Sequence, residues 1–101
     1  MPLVNVGRAA DLPPGKVMEV FVGQRPYAIC NFEGALYALD GVCLHEGGPL
    51  GQGQLDGPRL VCPYHFWEFD CRTGEYELDP AIRVATYPVR IEDGQILLEA
   101  P

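Results

Sequence analysis

Positive charge is scarce in this sequence: seven Lys and Arg residues face fourteen Asp and Glu, a formal charge of −7. Such a surface repels the phosphates of nucleic acid and an anionic membrane face, so neither is an expected partner. It suits a protein partner with a basic docking surface, because opposite charges steer encounter. Long hydrophobic runs are absent as well. Val20-Phe21-Val22 is typical of the apolar stretches, far short of the ~20 residues that cross a bilayer as a helix. Met1-Pro2-Leu3-Val4 has no basic start and no apolar run follows it, so the signs of a secretion signal are missing and the cytoplasm is the expected location. There is no internal repeat, no low-complexity tract, no amphipathic helical pattern and no Gly-rich fingerprint for NAD or flavin. Histidine occurs only twice, which makes the position of each one informative.

What is present reads as β structure. At 101 residues the chain is expected to form one domain. Its 12 Gly and 10 Pro are spread along the chain, which implies many tight turns. Val17–Val22 and Tyr27–Phe32 are apolar-rich runs flanking Gly23-Gln24-Arg25-Pro26, read as a turn. Glu33-Gly34 then joins Phe32 to Ala35–Leu39 as a hairpin. Tyr87, Val89 and Ile91 alternate with Pro88, Arg90 and Glu92, the period of a half-buried strand. Asp93-Gly94 turns that strand back into Gln95–Glu99. Ala9–Leu12 suggests a short helical turn before Pro13-Pro14-Gly15.

Between these flanks, residues 41–82 hold three of the four cysteines and both histidines. Gly47-Gly48-Pro49 and Gly51-Gln52-Gly53 exclude regular strand or helix, and loops on a β scaffold are where sites are usually built. Each histidine sits beside a cysteine: Cys43-Leu44-His45, then sixteen residues, then Cys62-Pro63-Tyr64-His65. In the cytoplasm disulfides are rare, so these four residues read first as metal ligands. Thiolate and neutral imidazole both bind iron and zinc well. Mixed structural zinc sites usually pair Cys with Cys and His with His. Two parallel Cys-plus-His pairs suit a dinuclear centre better, with zinc as the alternative.

This spacing resembles the Rieske iron–sulfur signature. The family's continuation, Trp-x-Phe-Asp and then Thr-Gly-Glu, is met by Trp67-Glu68-Phe69-Asp70 and Thr73-Gly74-Glu75, and Tyr87-Pro88-Val89 with Glu92-Asp93-Gly94 extends the likeness over nearly the whole chain. Phe66 departs from it, since the family most often has Gly there.

The resemblance implies an all-β Rieske fold of antiparallel sheets. A base, residues 1–40 and 83–101, would carry an inserted cluster-binding subdomain, residues 41–82. It implies a [2Fe–2S] cluster with Cys43 and Cys62 on the inner iron and His45 and His65 on the outer one. High-potential members of the family carry a disulfide whose cysteines correspond here to Gly48 and Tyr64, and hydroxyls that bond cluster sulfur where this chain has Trp67 and Phe69. A potential at the low end of the Rieske range is therefore expected, on the order of −150 mV.

The remaining thiols, Cys30 and Cys71, read as small buried hydrophobes, Cys71 with more scope for exposure because it lies in a turn. Trp67 and Phe69 share one face of a short strand, which favours core packing beneath the cluster. Phe66 and Leu44 are candidates for an apolar docking rim. Pro80-Ala81 resembles the family's proline loop and reads otherwise as an ordinary turn. A catalytic mononuclear iron needs two further histidines and a carboxylate, which this chain does not have to spare. An electron carrier is the expectation: a monomeric ferredoxin between a flavin-dependent reductase and a terminal oxygenase. The alternatives are the small Rieske-like subunit of a nitrite reductase and a zinc-stabilised binding module without a redox role.

Overall fold

The computed structural model describes residues 3–44, 47–64 and 66–101. Its strands run along the chain as β1 (Leu3–Arg8), β2 (Val17–Val22), β3 (Arg25–Phe32), β4 (Ala35–Asp40), β5 (Gln54–Asp56), β6 (Arg59–Val61), β7 (Glu68–Asp70), β8 (Glu75–Tyr76), β9 (Asp79–Arg83), β10 (Thr86–Tyr87), β11 (Val89–Glu92) and β12 (Gln95–Glu99). Among the described residues they make three antiparallel sheets, ordered β1-β12-β11, β10-β4-β3-β2 and β5-β6-β7-β8-β9. Among the described residues helix is limited to two 3-10 turns, Ala9–Asp11 and Leu50–Gln52. The all-β reading holds.

Turn chemistry sets the registers. Glu33 and Gly34 both have positive φ, 55° and 91°, and so do Asp93 and Gly94, 51° and 77°. Positive φ at both central residues matches the right-handed twist of flanking strands, which is why two-residue hairpins select such pairs. Phe32 accordingly faces Ala35, and Glu92 faces Gln95.

The four-stranded sheet is the middle layer, and β3 is its buried spine. Side chains alternate along a strand. Tyr27 and Ile29 therefore pack with Val20, Ala38, Ile96 and Leu98 on one side. Ala28 and Cys30 pack with Leu39, Leu60 and Phe69 on the other. The first core joins the middle sheet to the three-stranded sheet, and the second joins it to the five-stranded sheet. Cys43, Cys62 and Cys71 all belong to the second core.

Four expectations are corrected. Arg25 and Pro26 belong to β3, so the preceding turn is only Gly23-Gln24. Pro26 is tolerated because the pairing of β3 with β4 begins one residue later, at Tyr27 and Asp40. Residues 87–92 are not one strand: Pro88, lacking an N–H, separates β10 in the middle sheet from β11 in the three-stranded sheet. Gly51 and Gln52 lie in a regular, if brief, 3-10 turn. Pro80 and Ala81 are neither a loop nor a turn but part of β9, and that strand is at a sheet edge, where a proline removes no ladder bond that matters.

Candidate metal centre

The segments around Cys43 and Cys62 close in the same way. The Cys43 N–H donates to the Gly48 carbonyl at 2.7 Å, and the Cys62 N–H donates to the Trp67 carbonyl at 2.8 Å. In each case a cysteine bonds the residue five positions on, so each makes a small loop with its own histidine position inside it in sequence. The first loop is pinned to the scaffold by Gly47 N–H to Cys43 O (3.1 Å), Leu50 N–H to Gly41 O (2.9 Å) and a bridge between Val42 and Pro49. The second springs from the end of β6 and returns into β7, whose pairing fixes both ends.

Both cysteines are buried, at 1% and 0% exposure. The Tyr64 N–H approaches Cys62 Sγ at 3.4 Å. A Cβ built on Gly48 would lie 2.7 Å from Cys62 Sγ and 3.0 Å from Tyr64 Cβ, so the two loops abut at that glycine. The positions corresponding to the family's extra disulfide are thus side by side, and none of the four cysteines, each among the described residues, is in a disulfide. The candidate ligands His45 and His65 lie outside the described residues.

The rim of the two loops is apolar. Val42, Leu44, Tyr64 and Phe66 are exposed, Phe66 to 72%. Sequence reasoning singled out Leu44 and Phe66 but not Val42 or Tyr64; their places next to Cys43 and Cys62 were the available signal. Phe66 has φ +58°, a left-handed conformation that costs a bulky residue roughly 1–2 kcal/mol. Glycine takes it freely.

Beneath the second loop, Trp67 stacks on Tyr76 with centroids 4.0 Å apart and planes 9° from parallel. Phe69, fully buried, packs against both. The expected core role of Trp67 and Phe69 is what the structure has; Tyr76 is the partner the sequence reading did not name. The corner after β7 is tied by Asp70. Its carboxylate accepts from Arg72 N–H (2.9 Å), Nε (3.0 Å) and Nη2 (2.9 Å), and its carbonyl from Gly74 N–H (2.7 Å). The guanidinium hydrogen bond holds the Asp70 carboxyl below the usual carboxylate range.

Two buried thiols delivered by abutting, equally closed loops fit a cluster that takes one cysteine from each loop. Thiolates are the usual protein ligands of iron–sulfur clusters, and burial of both sulfurs keeps water from them.

Comparison with known proteins agrees. Residues 3–88 match the Rieske [2Fe-2S] domain, and the chain belongs to that family. It is 36% identical over 90 residues to the ferredoxin component of naphthalene 1,2-dioxygenase/salicylate 5-hydroxylase systems of Ralstonia sp., covering 88% of this chain and 86% of that protein. Its fold superposes on the Sphingomonas yanoikuyae B1 ferredoxin with a TM-score of 0.87 at 30% identity, covering 99% of this chain and 100% of that one. It also superposes, at TM-score 0.85 and 28% identity, on a chain from a complex of reduced oxygenase and oxidized ferredoxin in carbazole 1,9a-dioxygenase, covering 95% and 91%. The protein carries a Rieske-type [2Fe–2S] cluster and is an electron carrier, a component of a multicomponent oxidoreductase rather than an enzyme by itself. Among the described residues no helix is long and apolar enough to cross a membrane.

Proposed function

We propose that Cys43, His45, Cys62 and His65 hold the cluster, and that the protein passes one electron at a time from a flavin-dependent reductase to a terminal oxygenase. The observation that carries the ligand assignment is the matched closure of the two loops around buried Cys43 and Cys62. The cluster, when bound, supplies a one-electron couple. The chain's own contribution is to bury the thiolates and to present an apolar rim beside the two histidine positions. Loops 43–48 and 62–67 sit on a cluster-binding subdomain, residues 41–82, over a base of 1–40 and 83–101, and the protein acts as a monomer in the cytoplasm.

The oxygenase reading is supported by the ferredoxin relatives of dioxygenase systems and by the oxygenase–ferredoxin complex in the carbazole system. The excess of acidic residues suits partners with basic docking surfaces. The test begins with the purified protein: two irons and two acid-labile sulfides per chain are expected, with a Rieske spectrum that His45→Ala and His65→Ala both lose. A normal Rieske spectrum in either variant would overturn the ligand set. Reduction by a flavin-dependent reductase and re-oxidation by an oxygenase, both slowed by salt, are expected next. A stable stoichiometric complex with a nitrite reductase catalytic subunit, and no turnover with oxygenases, would overturn the shuttle.

A further inference from the structure

Phe66 combines features that packing alone does not account for. Its backbone is left-handed, at φ +58°, a conformation that a bulky residue does not take freely. Its ring is exposed, so burial does not offset the strain. It also walls a pocket of about 180 Å³ beside the second loop. Glycine would take this backbone without strain but would leave the pocket without that wall. Strain kept at such a surface position points to use rather than to stability.

The pocket lies on the outer face of the five-stranded sheet. Leu60 and Phe69 point into the core, so Val61, next along β6, faces outward. Val61 is paired with Gln54, and Pro63, Gln52 and Phe66 extend the lining. Cys62, fully buried, stands behind it. Among the described residues no Asp, Glu, Lys or Arg lines it. The volume is below the roughly 300 Å³ and more of small-molecule sites. It suits a single large apolar side chain, the kind of anchor that protein interfaces seat in pockets. Charge begins one strand away. Val61 also pairs with Glu68 on β7, so Gln54, Val61 and Glu68 form one row across three strands. The Glu77 N–H donates to Glu68 O at 2.9 Å, and Arg59 Nη1 is ion-paired with both carboxylates, 3.8 Å from that of Glu68. Two carboxylates thus share one guanidinium, which leaves net negative charge beside an apolar socket.

We propose that Phe66, Val61 and Pro63 form the anchoring socket for the terminal oxygenase. The oxygenase inserts one large apolar side chain there and sets a Lys or Arg against the Glu68–Glu77 pair. This rests on the oxygenase reading above and adds to it the point of contact. The complementarity is of both kinds: an uncharged socket takes the anchor, and the acidic edge takes the basic neighbour. The socket continues the exposed rim, because Tyr64 follows Pro63 directly in the same loop. An oxygenase seated there meets the loop that carries Cys62, a proposed ligand, and the shape of the Phe66 wall selects which oxygenase surfaces fit.

The test titrates cluster-loaded protein calorimetrically with the terminal oxygenase components of naphthalene, biphenyl and carbazole dioxygenase systems, and continues with the one bound most tightly. Phe66→Gly, which removes the wall, should weaken binding roughly five- to tenfold, whereas Phe66→Tyr should keep the wild-type affinity. Gln54→Trp places a ring in the pocket from the exposed edge strand β5 and should weaken binding too. Tighter binding by Gln54→Trp would mean that apolar surface alone matters, and would overturn the socket. Glu77→Gln should bind about two- to threefold more weakly and with less dependence on salt. Every variant should keep the wild-type visible spectrum and midpoint potential, which a displaced ligand loop would not. Unchanged affinity in Phe66→Gly would refute the socket and leave the oxygenase reading standing. Weaker binding to a flavin-dependent reductase alone, or a wild-type self-association that Phe66→Gly abolishes, would give the surface to another occupant and overturn the proposal. No binding and no electron transfer with any of the oxygenases would remove the oxygenase reading and the socket together.

Discussion

Gly48 lies so close to Cys62 that a single added carbon would stand 2.7 Å from the cysteine sulfur. The contact joins the two loops, since Gly48 also takes the N–H of Cys43. Replacing Gly48 by Ala would therefore push one loop off the other at the sulfur proposed as a ligand. Gly48→Ala should bind less cluster, with an iron content reduced at least several-fold. Its apo-form should fold no worse than the wild-type apo-form by more than about 1–3 kcal/mol, the usual range for overpacking. Full iron content together with an unchanged spectrum would show that the loops have more room than this.

Trp67 contacts the rings of Tyr76 and Phe69 and so links the second loop to β8. Trp67→Ala removes the stacked ring and leaves a gap over Phe69, with an expected loss of about 3 kcal/mol in unfolding free energy. The backbone bond from Cys62 to Trp67 O does not need the indole, so the variant should keep its cluster at low temperature. Denaturant melts followed by circular dichroism, beside iron analysis, would separate the two effects. A stable but iron-free variant would contradict the packing role.

The legible parts of this fold were those with a local cause. The hairpins at Glu33-Gly34 and Asp93-Gly94 are coded by the two turn residues themselves, and the cysteine–histidine pairs by spacing. Strands whose stability is set by distant partners were harder to see. β1 alternates Val4 and Val6 with polar or small neighbours, a weak pattern whose meaning comes from β12 at the far end of the chain. The strands β5 to β8 are two or three residues long, too short to show a period. Cys30 and Cys71 are each ordinary in sequence; only the packing of two sheets places them in one core.

Asp70 supplies the clearest pH dependence. Its carboxyl is held below the usual carboxylate range mainly by the hydrogen bond from Arg72, so the folded state binds that proton less readily than the unfolded chain does. The resulting stabilisation is fully present above the ordinary Asp value of about 3.9, and is lost as pH falls through the lower folded value. Asp70→Asn should lose about 1 kcal/mol at neutral pH, a modest figure because Arg72 is partly exposed. Its stability should then change less with acid than that of the wild type between pH 5 and 2, by roughly the same amount. Parallel acid-unfolding curves for the two proteins would contradict the assignment.

Phe66 combines a strained backbone with an exposed ring, φ +58° and 72% exposure. Since the ring is mostly in water, little burial is lost by removing it. Phe66→Gly should therefore be neutral or stabilising, by up to about 1 kcal/mol after the unfolded-state entropy of glycine is set against the relieved strain. If the ring is retained for docking, the same variant should bind its oxygenase several-fold more weakly and leave the cluster potential unchanged. Equal affinity for the oxygenase would remove Phe66 from the docking rim.

The cluster potential follows from what surrounds the sulfurs. Hydrogen bonds to cluster or ligand sulfur stabilise the reduced, more negative state and raise the potential. At the two positions where high-potential relatives place hydroxyls, this chain has Trp67, half-buried and stacked on Tyr76, and Phe69, fully buried; neither side chain has an O–H to give. The Tyr64 N–H donates to Cys62 Sγ at 3.4 Å, an ordinary distance for a bond to sulfur, but this one backbone bond does not replace the missing hydroxyls. Gly48 and Tyr64 stand where those relatives have a bridging disulfide, so that further constraint is absent as well. A midpoint near the bottom of the Rieske range, on the order of −150 mV, should be found by voltammetry or a spectroscopic redox titration. Phe69→Tyr should move it upward if the new hydroxyl turns toward the cluster. A wild-type midpoint above zero would mean that sulfur hydrogen bonds come from groups other than these side chains.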